Sequence, residues 1–135
     1  MKIDFLILAD YAESVNNKLY MMGGAWNQIA APMFPMNLKM AFVVGINFEE
    51  NELPARVPLQ ISMRDVQADR PAIPDILAEI AVQLAEPTNV KPRSLLAINT
   101  QFPLPGAGYY SVVASAGPNA RRETFFEARL VSTLQ

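Results

Sequence analysis

The residues from Leu38 to Phe48 read LKMAFVVGINF, and large apolar side chains occupy every second position of this stretch. Successive side chains of a β-strand point to opposite faces, so a period of two predicts a strand with one continuous apolar face. This stretch therefore sets the fold class that we expect for the rest of the chain. The positions predicted to face the core are Leu38, Met40, Phe42, Val44, Ile46 and Phe48.

Two strand patterns precede this stretch. Ile3 to Tyr11 is rich in Ile, Leu and Phe at both parities, which is typical of a central strand covered on both faces. Ser14 to Asn17 supplies turn residues, and Lys18 to Ala30 resumes an extended pattern, so the two segments are predicted to form a hairpin. Gly23-Gly24 lies inside the second strand, where glycine usually marks a bulge or the close approach of another backbone.

Further strands follow the stretch. Pro32 and Pro35 predict an irregular crossover before it, because proline has no N–H to give to a β-ladder. An acidic turn, Glu49 to Glu52, comes directly after it. The later predicted strands are Val57 to Met63, Ser94 to Leu104, Tyr109 to Ser115 and Glu123 to Ser132, with turns at Pro105 to Gly108 and Ala116 to Asn119.

The segment from Asp75 to Glu86 admits two interpretations. Asp75 is a residue type that caps helices, and Ile76, Ile80 and Leu84 would share one helical face. Ile80, Val82 and Leu84 also alternate with Glu79, Gln83 and Ala85, as in a strand. We favour the strand, because the neighbouring elements are strands and a single helix is rarely interleaved among them.

Together these segments predict an all-β fold of seven or eight strands. Short turns and regular spacing favour a two-layer antiparallel β-sandwich, formed as a single domain over residues 1–135. Gly108-Tyr109-Tyr110 enters a hairpin strand and is similar to the tyrosine corner of immunoglobulin-like sandwiches, whose hydroxyl bonds back to nearby backbone. Tyr110 is the corner candidate, because Val112 and Ala114 share its parity. We therefore expect an immunoglobulin-like sandwich.

The composition argues against catalysis. Histidine and cysteine are absent from the sequence, and these side chains most often carry acid–base, nucleophilic and transition-metal chemistry near neutral pH. No Gly-x-Ser-x-Gly elbow or Ser-x-x-Lys spacing occurs either. We expect no enzymatic activity, no catalytic residues, no cofactor and no metal. One alternative stays open, since Glu49 to Glu52 with Asp65 or Asp69 would supply oxygen ligands of the kind that calcium prefers.

Charge and hydropathy argue against nucleic acid and membrane partners. The net charge is −2, and the longest basic run is Arg121-Arg122. The apolar run from Phe5 to Ala9 is far shorter than the roughly 20 residues of a membrane-spanning helix. Asp4 stands where the apolar stretch of a signal peptide would begin. We therefore expect a cytoplasmic protein.

Several short motifs carry a family resemblance. They include Asp4-Phe5, Ala9 to Ala12, Lys18 to Tyr20, Gly23-Gly24, Trp26, Pro32 to Pro35 before the long strand, and Pro105 to Tyr110. In these motifs the chain resembles a family of small, uncharacterised bacterial proteins of unknown function. The resemblance implies a β-sandwich without recognised catalytic residues.

Aromatic and methionine side chains are the remaining candidates for function, because Met and Trp are common at contact surfaces. One group surrounds the first hairpin and the crossover, where an alternative is that it closes one end of the core. A second pair has the opposite parity to the inward residues Tyr110 and Phe126. The predicted interface residues are Met21, Met22, Trp26, Met33, Phe34, Tyr109 and Phe125.

The predicted function is therefore non-enzymatic. We expect protein–protein interaction or self-assembly, as a homo-oligomer or with another protein, through an outer sheet face or an edge strand. The alternative is a domain that binds a small ligand or carbohydrate, with Trp26 and the end loops as a stacking platform. A third possibility is a building block of a large particle such as a tube or shell.

Overall fold

The computed structural model describes residues 1–83, 86 and 88–132, which form ten β-strands and one three-residue 3-10 helix. The sequence predicted seven or eight strands. The larger number arises because the predicted strand Lys18 to Ala30 is divided in two, and because a short strand forms in a predicted loop. The strands are β1 Lys2–Val15, β2 Lys18–Gly24, β3 Gln28–Ala31, β4 Met36–Asn47, β5 Ala55–Asp65, β6 Arg70–Pro71, β7 Ile76–Val82, β8 Arg93–Leu104, β9 Gly108–Ala116 and β10 Ala120–Leu130, and the 3-10 helix is Glu50–Glu52.

The strands form two sheets. The four-stranded sheet has the order β2-β1-β4-β8, and the six-stranded sheet has the order β3-β10-β9-β5-β6, with β7 also paired to β5. β3 runs parallel to β10, so the six-stranded sheet is mixed rather than wholly antiparallel as predicted. The all-β class is confirmed.

One apolar core lies between the two sheets. The predicted alternation along β4 is confirmed, since Phe42 and Ile46 are fully buried and belong to the same cluster as Ile61 on β5. The rings of Tyr110 and Phe126 stack within this cluster, with centroids 5.1 Å apart. Burying each large side chain of this kind stabilises a fold by about 1.5–3 kcal/mol.

β1 is a central strand, as its double-sided apolar pattern predicted. Leu6 and Leu8 point into the shared core, while Phe5 and Ile7 lie on the other face of the sheet. The ring of Phe5 covers Gly45 on the neighbouring strand, and a Cβ atom at Gly45 would overlap that ring. The glycine in the middle of β4 is therefore the place where an aromatic ring lies flat against the backbone.

The prediction of a single strand from Lys18 to Ala30 is wrong, because the segment forms β2 and β3. Gly23 and Ala25 have positive φ values of 57° and 64°, and the Ala25 amide donates to the Leu8 carbonyl at 2.7 Å. These conformations end β2 and turn the chain, which then enters the six-stranded sheet as β3. The group that approaches Gly23 is the side chain of Asp10 rather than another backbone as predicted, and it fills the space that a Gly23 side chain would need.

The ambiguous segment forms a strand over Ile76–Val82, as favoured, and Leu84 and Ala85 lie outside the described residues. Ile80 is buried in the core while Leu77 is 76% exposed on the opposite face, which is the alternation of a half-buried strand. Arg70–Pro71, in the predicted loop, pairs with the end of β5 as the short strand β6.

The far half of the β1–β2 hairpin, residues 10–23, folds back over the four-stranded sheet; we call it the arm. Ala9 pairs with Ala41, and β1 runs antiparallel to β4, so a straight hairpin would carry its tip away from Asn47. At about 3.3 Å per residue, Asn17 at the tip would then lie about 45 Å from Asn47. Instead, Asn17 and Asn47 line one cavity.

The arm is fastened to the sheet by apolar contacts and by one side-chain amide. Ala12 and Leu19 of the arm share a second apolar cluster with Ala41 and Val43, which face away from the main core. The Asn99 amide nitrogen donates to the Ala12 carbonyl at 2.7 Å, and the Ala12 N–H donates to the Asn99 Oδ1 at 3.2 Å. Asn99 therefore satisfies the backbone of β1 where β1 leaves β4.

Replacing Asn99 by alanine is expected to loosen the arm. Asn99→Ala removes both hydrogen bonds to Ala12, which predicts a loss of about 1–2 kcal/mol of unfolding free energy and faster amide exchange at Ala12. Gln101→Ala is the matched control, because Gln101 is exposed two residues further along β8 and makes no hydrogen bond among the described residues. Unchanged exchange at Ala12 in Asn99→Ala would contradict the fastening role.

Tyr110 makes the hydrogen bond that the tyrosine-corner resemblance predicts. Its buried hydroxyl donates to the Gly106 carbonyl at 2.7 Å. Burial disfavours the phenolate and raises the pKa of Tyr110 above its ordinary value of 10.0. Because the unfolded chain ionises first, stability is present below pH 10 and is lost as the pH rises above it.

Tyr110→Phe is expected to lower the unfolding free energy by about 1–2 kcal/mol at neutral pH, because the Gly106 carbonyl loses its partner. Between pH 9 and pH 11 the variant should also lose less unfolding free energy than the wild type, because phenylalanine cannot ionise as Tyr110 does. Urea titrations at both pH values measure the two effects. Tyr109→Phe on the exposed neighbour is the control and should stay within about 0.5 kcal/mol of wild type.

Candidate interaction surfaces

The arm carries an exposed face on the side away from the sheet. Its cross-strand pairs are Tyr11 with Met22, Glu13 with Tyr20, and Val15 with Lys18. Met22 is 69% exposed and Tyr20 56% exposed, and Tyr11 and Val15 are each 44% exposed. We call these six residues the arm face. Four of the six are large apolar or aromatic side chains in contact with solvent.

The two charged residues of the arm face lie among these apolar groups. The Tyr11 hydroxyl donates a short hydrogen bond to the Glu13 carboxylate, and this bond raises the pKa of Tyr11, with small further contributions from burial and from the negative charge. Lys18, at the hairpin tip, takes part in no ion pair among the described residues. The arm face thus has no net charge of its own.

Sequence reasoning identified only part of this surface. Met22 was among the predicted interface residues, and Met21 next to it is 40% exposed on the opposite side of the arm. Tyr11, Val15 and Tyr20 were missed. Their signal was available, because a two-residue turn at Asn16-Asn17 fixes the hairpin register and places residues 11, 13 and 15 on one face with 18, 20 and 22.

The other predicted interface residues near the crossover are divided between core and surface. Trp26 and Phe34 are half-buried and pack against the main core. The Trp26 indole meets the Phe126 ring edge-on at 5.5 Å, and its Nε1 is buried without a hydrogen-bond partner in the described structure. Met33 is 70% exposed. Trp26 and Phe34 thus close one end of the core, the alternative that the sequence left open.

Tyr109 and Phe125 lie on the outer face of the six-stranded sheet, as their parity predicted. Their rings stack with centroids 5.5 Å apart, and both are partly exposed. Across the ladder, Phe125 is opposite Ser111, which in turn is opposite Arg64. The stacked pair therefore has the polar residues Ser111 and Arg64 beside it across the ladder.

Two carboxylates of the acidic turn form ion pairs with positively charged groups of the same chain. Glu49 pairs with Lys91 at 2.7 Å, and Glu52 accepts a hydrogen bond from the amino group of Met1 at 2.5 Å. These contacts raise the pKa of Lys91 and lower the pKa of Glu52.

Asp65 and Asp69, the suggested partners of that turn, are occupied elsewhere. Asp65 accepts the amides of Gln67 and Ala68, and Asp69 pairs with Arg64 at 3.1 Å. Over residues 1–83, 86 and 88–132, no three carboxylates come close enough together to hold a metal ion. The residues of the calcium alternative are therefore not brought together in one cluster among the described residues.

Two cavities adjoin the arm. The larger, about 1050 Å³, lies between the arm tip and the loops that flank β8, with Asn17, Asn47, Arg93 and Leu95 in its wall. Arg93 is held there by Asp4 at 2.8 Å and by Asn47 at 2.8 Å. A second, of about 490 Å³, lies between the base of the arm and β8. Neither wall includes Trp26, so the proposed stacking residue and these cavities are at different places.

The fold and its surfaces define an all-β protein with two sheets around one core and an apolar arm folded over the outside. Within the described part of the chain, no helix is long and apolar enough to cross a membrane. A family model matches residues 4–127, and the chain belongs to that family, which is described as a family of unknown function, DUF6941. This agrees with the resemblance of its motifs. No curated protein matches the chain.

Proposed function

We propose that this protein is a non-enzymatic, immunoglobulin-like β-sandwich that assembles with copies of itself through the arm face. The observation that carries the proposal is the exposure of four large apolar or aromatic side chains on one face of a hairpin. A contiguous apolar surface of this kind on a folded protein is typical of an interaction site. The absence of histidine and cysteine supports a role in binding rather than catalysis, and the lack of cysteine fits a location in the reducing cytoplasm.

The arm face has the composition of an interface centre. Tyrosine and methionine are enriched in such centres, where their large side chains bury much surface for little lost rotamer freedom. The arm is already fastened to the sheet through Asn99 and Leu19, so binding has less chain to order. Pre-organisation of this kind lowers the entropic cost of association. A net charge of −2 adds little repulsion between copies.

The arm face is also compatible with its own copy. In a symmetric dimer the same patch is used by both chains. With a two-fold axis parallel to the arm strands, Tyr11 faces Met22 of the second copy, and Glu13 faces Tyr20 of the second copy. Like charges are then not opposed. An axis perpendicular to the strands would set Glu13 against its own copy, so we favour the parallel axis.

Light scattering coupled to size-exclusion chromatography tests the proposal over a series of micromolar concentrations. The wild type is expected to run as a dimer or larger species. Tyr20→Glu with Met22→Glu buries charge at the proposed contact and should shift the mass towards the monomer. Tyr109→Glu with Phe125→Glu places the same two charges on the exposed aromatic pair and should leave the mass unchanged.

Circular dichroism of both double variants checks that the folded state is kept. A wild type that stays monomeric throughout the series would refute self-assembly. Loss of assembly in the Tyr109 and Phe125 variant, with full assembly in the arm variant, would move the interface to the outer face of the six-stranded sheet and refute the role of the arm face.

A further inference from the structure

We propose a second contact between copies, in which the free edge of β8 pairs antiparallel with β8 of another copy. β8 is the last strand of the four-stranded sheet, and it pairs only with β4 in the described structure. A free strand edge offers unpaired N–H and C=O groups to another chain. This contact extends the proposed self-assembly to a different surface, and its test is separate from that of the arm face.

The direction of the backbone groups on β8 follows from two prolines. The Phe48 amide donates to the Pro92 carbonyl at 2.9 Å, in the same register that pairs β4 with β8. Directly opposite residues that exchange hydrogen bonds alternate with residues that do not. Even-numbered residues of β8 therefore bond to β4, and odd-numbered residues point to the free edge. Pro103 agrees, because its missing N–H falls at the free edge.

The β8 edge lacks the usual protection against pairing. No charged residue occurs from Ser94 to Leu104, and the register with β4 continues without a bulge from one end to the other. Natural sheets block long edges with charges, prolines, bulges or short strands. Here the only proline inside the strand, Pro103, stands near its end.

The other edges of the two sheets are short, charged or bent. β6 has two residues, and the part of β10 that β3 does not reach carries Arg121, Arg122 and Glu123. β3 has only four residues, and β7 has seven with Glu79 near its middle, bonded to Arg56. β2 belongs to the arm, whose tip carries Lys18 and whose base is bent at Gly23. β8 combines the length and neutrality that edge pairing needs.

A second copy of β8 is the occupant that fits this edge best. Setting Ile98 opposite Ile98 of the second copy gives an overlap of eleven residues, from Arg93 to Pro103, and about ten backbone hydrogen bonds, more than the neighbouring register centred on Asn99. Leu96 and Ile98 are half-buried at the margin of the core, and in this register they meet apolar or neutral side chains of the second copy. Neither end of the overlap sets like charges against each other, because Arg93 is opposite Pro103 of the second copy.

The size of this contact sets its expected strength. An overlap of about eleven residues is about 36 Å long and about one strand thick, so the buried area falls below the roughly 1,200 Å² of a standard stable interface. Contacts of that size are weak and transient on their own. Combined with the arm face, however, they give each protomer two different two-fold contacts, which propagate into a filament or close into a ring.

Disulfide cross-linking between copies tests this contact. Because the sequence has no cysteine, an introduced cysteine is the only thiol that can react. Ile98→Cys places the thiol at a directly opposed position that does not exchange hydrogen bonds at the new ladder, where Cβ atoms come within disulfide range. Under mild oxidation at micromolar concentration, this variant should form a disulfide-linked dimer at least tenfold faster than Gln101→Cys.

Gln101→Cys is the matched control on the same strand. Gln101 is more exposed than Ile98, so its thiol collides more freely, but in the proposed register it lies about 20 Å from its own copy. Equal or faster linkage at residue 101, or no linkage at residue 98, overturns the proposal. Repeating the pair in the Tyr20→Glu, Met22→Glu background separates the two contacts, because linkage through β8 should persist when the arm face is disabled.

A measurement on the wild type covers the case in which Ile98→Cys fails to fold. Amide exchange of Ala97 and Asn99, whose N–H groups point to the free edge, should slow as the protein concentration rises. The amides of Leu96 and Ile98 bond to β4 and should show no such dependence on concentration. Exchange at Ala97 and Asn99 that is independent of concentration overturns the proposal.

Discussion

The outer face of β4 has to be covered, and much of this structure follows from that constraint. β4 is apolar at both parities, with Phe42 and Val44 in the main core and Ala41 and Val43 on the other side. Apolar surface left in water costs about 25 cal/mol per Å², so a strand of this kind needs a layer on each face. The six-stranded sheet covers one face and the arm covers the other.

Covering β4 with its own chain has consequences for the surface. A hairpin has two faces, so the arm can bury Ala12 and Leu19 only by presenting the opposite residues to solvent. Those residues include Tyr11, Tyr20 and Met22, which lie beside the charged Glu13 and Lys18. The arm covers one face of the sheet but does not pair with β8. The outer edge of β8 therefore stays free. Both proposed contacts thus follow from the way the arm covers the four-stranded sheet.

Local patterns in the sequence predicted most of the strands. The alternation along Leu38 to Phe48 and the double-sided run at Ile3 to Tyr11 depend on residues that are close in sequence, and both were confirmed. The turn predicted at Ser14 to Asn17 is confirmed only at Asn16 and Asn17, because Ser14 and Val15 belong to β1. Tyr110 and its bond to Gly106 were equally local, since only four residues separate them. Parity was enough to place Tyr109 and Phe125 outside.

The arm was not predictable in the same way. Its position depends on a bend at Gly23 and on Asn99, which is 87 residues from Ala12 in sequence. No pattern among residues that are close in sequence indicates such a contact. The same limitation explains the divided strand Lys18 to Ala30, because its extended pattern is real on both sides of a break made by backbone conformation at Gly23 and Ala25. The predicted Met and Trp cluster was separated at this break.

The two proposed contacts depend on different physical terms. The arm face would associate through apolar side chains, a driving force that is almost entirely entropic near room temperature and weakens on cooling. The β8 edge would associate through backbone hydrogen bonds, whose gain is enthalpic and whose specificity comes from register rather than side-chain chemistry.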